Sequence, residues 1–346
     1  MMTTKRIGTA AAALMAAVTL TACGGGGGGV TSSDGREYPS GPDDTVAKRI
    51  DDARTLARAT TFTARAVGHD VTAADPDGTG DFRAVNNRRA TPENVLFRIY
   101  RAAPDEAATV AVTHRGETTT FTPDTMGRTG YRVHDPSAPE NIDDKVFWAY
   151  GDWLSRGFGT ADGTPDTEYH VPVEFWFDGT PDDPTNMNRL AVIGLETRPG
   201  DMPGGTVAEY AGEVRMEVRP KEAPGGWTRY RSDIGLTADF SKGTVSGEMD
   251  NLARWSVDGD GQVGDGQASL AGLSYRLVET PITDTGFTTE IAPGADCADC
   301  LDIVSSEVIG AFYGPAADEA GGTIEVEFDD GASPRIGVGV FSSKAE

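Results

Sequence analysis

The chain reads as a mainly β protein, and three features of its sequence carry that reading. Two-residue alternation of apolar and polar side chains runs through NVLFRIYR (94–101), TVAVTH (109–114), ETTTFT (117–122) and VPVEFWF (171–177), the pattern of half-buried strands. After Met202-Pro203-Gly204-Gly205 the texture changes to short alternating runs broken by Gly-rich or Asp-rich turns, spaced roughly every ten residues as in a sandwich or closed barrel. Helical spacing, by contrast, is confined to two stretches.

The elements follow in chain order. Lys5 and Arg6 precede an apolar, Ala-rich run from Ile7 to Leu20, too short to span a bilayer and built like a secretory signal. Its end, Leu20-Thr21-Ala22-Cys23, resembles the bacterial lipobox, which implies cleavage before Cys23 and lipidation of that cysteine, with residues 1–22 removed. Several acyl chains on one residue, each buried methylene contributing about 0.8 kcal/mol, hold a protein on a membrane almost permanently. Gly24 in place of an acidic residue implies sorting to the outer membrane. Six glycines and a polar stretch, together 23–43, form a flexible tether.

From Asp44, the segment DDTVAKRIDDARTLARATTF places Val46, Ile50, Ala53, Leu56 and Ala57 at helical spacing, with Asp44 as an N-cap. A second short helix is expected in PENIDDKVFWAYGDWLSRGF (139–158), where Val146, Phe147, Tyr150, Trp153 and Leu154 recur every three or four positions. Residues 44–203 thus form one α+β region, and 204–346 a second, all-β domain. Strands in the second are expected at Thr206–Ala211, Glu213–Arg219, Gly235–Phe240, Thr244–Met249, Ala268–Leu277, Phe287–Ile291, Val308–Tyr313, Thr323–Phe328 and Ile336–Phe341. Ile324, Val326 and Phe328 alternate with Thr323, Glu325 and Glu327, which suits a barrel with a filled interior, a wet exterior and no exposed edge.

Composition narrows the function. The formal charge of −24 becomes −26 once residues 1–22 leave, since Lys5 and Arg6 go and no acid goes with them. Such a surface repels phosphate backbones, which argues against nucleic acid as a partner. With Cys23 lipidated, Cys297 and Cys300 remain, spaced Cys-Ala-Asp-Cys in an exported chain, where a local disulfide is the default. All four histidines, His69, His114, His134 and His170, lie in the first half, with no HExxH, GxSxG or phosphate-binding Gly-Lys-Ser/Thr among them, so no enzyme and no resident cofactor are expected. The Asp-rich loops 75–81 and 258–267 invite calcium, but in the second Val263 stands at the turn-glycine position and Ser269 at the bidentate-glutamate position, so solvated hairpin turns are the stronger reading. His114 and His134 are candidate haem ligands, against the simpler reading of hydrogen-bonded structural histidines.

Three stretches carry a family resemblance. LTADFSKGTVSGEMDNLA (236–253), EVIGAFYGPAADEAGGTIEVEF (307–328) and IGVGVFSSK (336–344) resemble the barrel domain of the transferrin-binding protein B-like surface lipoproteins, with EYAGEV (209–214) as its opening strand. The matching residues are Gly310, Ala311, Phe312, Tyr313, Gly314, Pro315, Ala317, Glu319, Gly321 and Gly322, then Gly339, Val340, Phe341 and Lys344. The resemblance implies an eight-stranded antiparallel barrel beside a small sheet-rich handle with one or two short helices. It also implies an outer-membrane lipoprotein that binds an extracellular protein, often an iron carrier, beside an outer-membrane transporter. In physical terms Gly310 and Gly314 relieve crowding at a barrel corner, Phe312 fills the interior, Pro315 ends pairing and Gly321-Gly322 turn the chain for the last strand. One handle and one barrel replace the two lobes of the transferrin receptors, which weighs against transferrin itself. Since Trp and Tyr dominate binding hot spots, Trp148, Trp153 and Trp176 are the candidate ligand face, on loops at the handle tip. The rival readings are a structural or adhesion lipoprotein and a periplasm-facing carrier of a small solute such as haem, which needs a hollow barrel.

Overall fold

The computed structural model describes residues 31–32, 60–74, 83–100, 108–122, 131–133, 145–150, 167–177, 185–221, 228–255, 268–269, 273–295, 297, 300–329, 331 and 334–346. They form two ten-stranded sheets, and among them the single helical element is the one-turn 3-10 segment Pro199–Asp201.

The first sheet contains β1 (Thr31–Ser32), β2 (Thr60–Ala74), β3 (Arg83–Arg89), β4 (Glu93–Tyr100), β5 (Thr109–His114), β6 (Glu117–Phe121), β7 (Tyr131–Val133), β8 (Lys145–Ala149), β9 (His170–Phe177) and β10 (Thr185–Gly194). Its main path runs β6-β5-β4-β2-β10-β9-β8-β7. The sheet curls onto its own apolar face, so that Phe121 of β6 meets Phe147 of β8 with ring centroids 5.7 Å apart. Phe97 packs edge-on to Phe175 at 5.9 Å, and Val95, Val110, Val173 and Ile193 complete this core. The region expected to be a small sheet-rich handle is a curled sheet with a full core of its own.

The second sheet contains β11 (Val207–Pro220), β12 (Thr228–Asp239), β13 (Thr244–Trp255), β14 (Ala268–Ser269), β15 (Tyr275–Thr283), β16 (Gly286–Thr289), β17 (Ile291–Pro293), β18 (Asp302–Tyr313), β19 (Glu319–Asp329) and β20 (Pro334–Ala345). Pairing of β13 with β15 closes the circuit β11-β12-β13-β15-β16-β18-β19-β20, an eight-stranded antiparallel barrel. Its axis is filled: Phe312 packs, with rings tilted, against Tyr210, Phe240 and Phe287 at 5.8, 5.4 and 5.8 Å, and Phe287 also meets Phe341 at 6.3 Å. Glycines make room for these rings. A Cβ at Gly337 would lie 2.7 Å from Met216 Sδ and 2.8 Å from Val326 Cγ1, so the interior face of β20 is small because its neighbours are large. The packed axis counts against a hollow, solute-carrying barrel. Outside it, Cys297 and Cys300 are joined by a disulfide with Cα atoms 5.4 Å apart.

Several expected elements differ. Lys145–Ala149, read as part of a second helix, is strand β8, paired with β9 from Lys145↔Phe177 to Ala149↔Val173. Phe147 enters the core while Trp148, one residue on, stays half-buried, and that period of two overrides the three-to-four spacing of the flanking aromatics. Gly321 and Gly322 do not turn the chain. They lie inside β19, paired with Ser342 and Phe341 of β20, and the reversal comes after Asp329. Strands expected at Thr206–Ala211 and Glu213–Arg219 are one continuous β11, because Gly212 permits the close approach of Ser343, whose Cα would lie 2.5 Å from a Cβ there. In place of one strand over Ala268–Leu277 stand β14 and the separate β15. Residues 44–59 of the first expected helix, the Asp-rich loops, Trp153 and His134 lie outside the described residues.

Candidate functional site

The barrel's outer wall is not uniformly wet. On β11 the sequence EVRMEVR places Glu213, Arg215, Glu217 and Arg219 on one face by strand alternation, and all four are buried, at 4%, 7%, 3% and 2% exposure. They are covered by the outer face of the first sheet. Between the two sheets lies an apolar strip formed by Val67, Leu190 and Val192 from one side and Ile336, Val338, Val340 and Tyr313 from the other.

Polar groups flank this strip in two clusters. In the first, Glu174 of β9 accepts hydrogen bonds from Arg229 Nη2 at 3.0 Å and Asn188 Nδ2 at 3.1 Å, and from the Tyr150 hydroxyl. Asn188 Nδ2 also reaches Glu217 Oε2 at 3.0 Å, while Arg219 Nε donates to Glu217 Oε1 at 2.6 Å. Arg215 and Arg231 both pair with Glu213, and the Arg215 guanidinium stacks over the Tyr150 ring at 4.6 Å. Burial, and after it the Glu174 charge, push the Tyr150 hydroxyl far above its ordinary range, so it acts here as a donor. A cavity of about 20 Å³ opens among Tyr150, Glu174, Arg215 and Arg229, room for about one water molecule and far too small for haem.

The second cluster is a socket. Glu319, fully buried, accepts from the backbone N–H of Glu168 at 2.6 Å and of Tyr169 at 3.0 Å, and its Oε2 lies 2.8 Å from His170 Nδ1. The other ring nitrogen of His170 is 2.8 Å from Ser342 Oγ, and the ring stacks on Tyr313 at 4.7 Å. A Cβ on Gly321 would lie 2.8 Å from the His170 ring, and one on Gly314, whose φ is +88°, 2.7 Å from the Tyr169 ring. Thr197 reinforces the joint through its N–H to Phe312 O at 2.8 Å and its hydroxyl to Gly314 O at 2.7 Å. The order Ser342, His170, Glu319 matches the hydrogen-bond chain of a serine hydrolase. Yet Ser342 is 2% exposed and the other two 0%, so no substrate atom can reach the hydroxyl in this arrangement, and the chain works as a clasp between the sheets.

The residues singled out in the sequence fall as follows. Trp176 stands half-buried on the face of β9 that carries Glu174, with the Arg219 guanidinium 5.8 Å from its ring centroid. Trp148, half-buried, lies opposite Glu174 in the β8–β9 register. Both occupy strands beside the junction, not loops at a tip. Phe147, Phe175 and Phe177 are core. His114 is a structural histidine: its Nε2 lies 2.6 Å from Glu93 Oε1 and its ring is edge-on to Phe175 at 5.7 Å. Sequence reasoning missed the junction itself. The alternating signs of EVRMEVR were its available signal, since opposite charges two apart on one strand face can neutralise one another when covered.

The chain matches no protein family profile, and no curated protein matches it. Among solved structures it is similar in fold to transferrin-binding protein B. Intact Ap-TbpB, with N and C lobes, is 16% identical over 83% of this chain and 47% of that one, with a TM-score of 0.40. A mutant of transferrin-binding protein B from Haemophilus parasuis gives 16%, 83%, 46% and 0.40, and the isotype 1 protein from serogroup B Neisseria meningitidis 14%, 84%, 58% and 0.34. The chain thus spans about half the length of the first of these relatives.

Proposed function

We propose that this chain is a lipid-anchored, non-catalytic binding protein of the bacterial outer membrane, with units 44–203 and 204–346 presented to an extracellular protein, the iron-carrier class first, beside an outer-membrane transporter. The observation that carries the binding reading is the pair Trp148 and Trp176, half-buried on one face of the adjoining strands β8 and β9, with Arg219 over the Trp176 ring. Aromatic and arginine side chains in such settings dominate protein recognition. Cys23 behind Leu20-Thr21-Ala22 supports the anchor, which raises the local concentration of the binder beside any companion on the same membrane.

Three experiments test this reading. Cys23→Ala is expected to abolish labelling by a palmitate analogue and release the protein from the membrane fraction; continued membrane retention would sink the anchor. In intact cells, a protease that cannot cross the outer membrane should degrade the chain and spare a periplasmic control, and protection would favour an envelope-structural role. Trp148→Ala with Trp176→Ala is expected to weaken capture of the extracellular partner at least 30-fold, about 2 kcal/mol for a hot-spot residue, while amide-exchange protection of Ile324–Val326 inside the barrel is unchanged.

A further inference from the structure

His69 of β2 sits in the junction, fully buried. Its Nε2 lies 3.3 Å from the backbone oxygen of Glu217 on β11, and its Nδ1 has no hydrogen-bond partner among the described residues. Charged groups surround it from every packed element. Its own strand supplies Asp70; β10 supplies Arg189, with Asn188 opposite His69 in register; β3 supplies Arg89, also opposite in register; the barrel supplies Glu217 and Arg219. The acids among these are already engaged. Asp70 binds Arg189 at 2.6 Å and Arg88 at 3.5 Å, and Glu217 binds Arg219 at 2.6 Å. A proton on the imidazole would therefore add a positive charge to a closed space where every nearby carboxylate has a cation.

We propose that His69 is the proton-sensing element of the junction, its imidazole accepting a proton only when the two sheets part, so that mild acid loosens the contact between the first sheet and the barrel. Burial foremost, then the Arg219 charge, hold His69 down from 6.5 to about 3 in the closed form. A folded pKa below the free value means that the closed form binds fewer protons. Its stabilising share is complete above about pH 6.5 and drains away as the pH falls toward 3. Between pH 7.5 and 5.0 the ratio of closed to open forms drops about 30-fold through this one group. Glu213 and Glu325, whose carboxyls are pushed up by burial, act in the opposite direction, so the His69 share is read by difference.

The test uses the full chain and His69→Gln, which keeps a donor toward the Glu217 oxygen and cannot take up the proton. Amide hydrogen exchange at pH 7.5 and 5.0, corrected for intrinsic rates, compares the Glu168 and Tyr169 amides with those of Ile324–Val326 inside the barrel. The junction amides of the natural chain should lose about 30-fold more protection on acidification than those of the variant, with the barrel amides alike in both. Parallel losses in the two proteins would overturn the proposal. Should the variant not fold, the His69 ring nitrogens decide in the natural chain: a ring that titrates near 6.5 while the Glu168 and Tyr169 amides stay protected overturns it, and a ring neutral for as long as those amides are protected upholds it.

Discussion

Replacing Glu319 by alanine is expected to lower the unfolding free energy by about 3–5 kcal/mol, the range for breaking a buried, hydrogen-bonded charge cluster. One carboxylate takes the N–H groups of Glu168 and Tyr169 and contacts the His170 imidazole, and alanine leaves these groups buried without that acceptor. Urea denaturation measures the loss. A change below about 1 kcal/mol would mean that water replaces the carboxylate, and that the clasp is marginal. The damage should begin at the junction: protease sensitivity between β10 and β11 should rise before the barrel core melts.

Phe312→Ala is expected to cost a similar about 3–5 kcal/mol by a different route. Phe312 is fully buried and its ring touches those of Tyr210, Phe240 and Phe287, so truncation opens a cavity on the barrel axis that close-packed neighbours cannot fill. Near-ultraviolet circular dichroism should fall together with the urea midpoint. The two substitutions lie close together, because Phe312 is followed by Tyr313, on which His170 stacks. Their combined cost is therefore expected to depart from the sum of the two, and a double-mutant cycle measures the coupling. An exactly additive pair would mean that core and clasp are independent.

How much was legible follows from which contacts are local. The barrel could be read because its rule is local: Ile324, Val326 and Phe328 face inward and Glu325 outward, as alternation requires. Phe312 was likewise readable as filler. What local patterns cannot say is what covers the outside of a barrel. Glu325 was expected in water and is 4% exposed, because Arg65 and Arg89 of the first sheet lie against it. The pair Gly321-Gly322 was misread for the same reason. Gly321 is small for the sake of a histidine 151 positions earlier, His170, and not to make a turn. Strand β8 was missed because five residues with adjacent aromatics satisfy both periods, and only its pairing with β9 decides.

The register of β11 with β20 also has a consequence in time. Val214 pairs with Phe341, and Tyr210 with Ala345, so the barrel's first strand has β12 on one side and, on the other, a strand 127 positions later. Contacts so distant in sequence are slow to form, since the loop must be closed before the ladder rewards it. In a chain made from its N-terminus, β11 emerges long before β20, and the circuit cannot shut until β20 has followed. The barrel thereby stays open through most of synthesis, while the first sheet, whose core is its own, can form ahead of it.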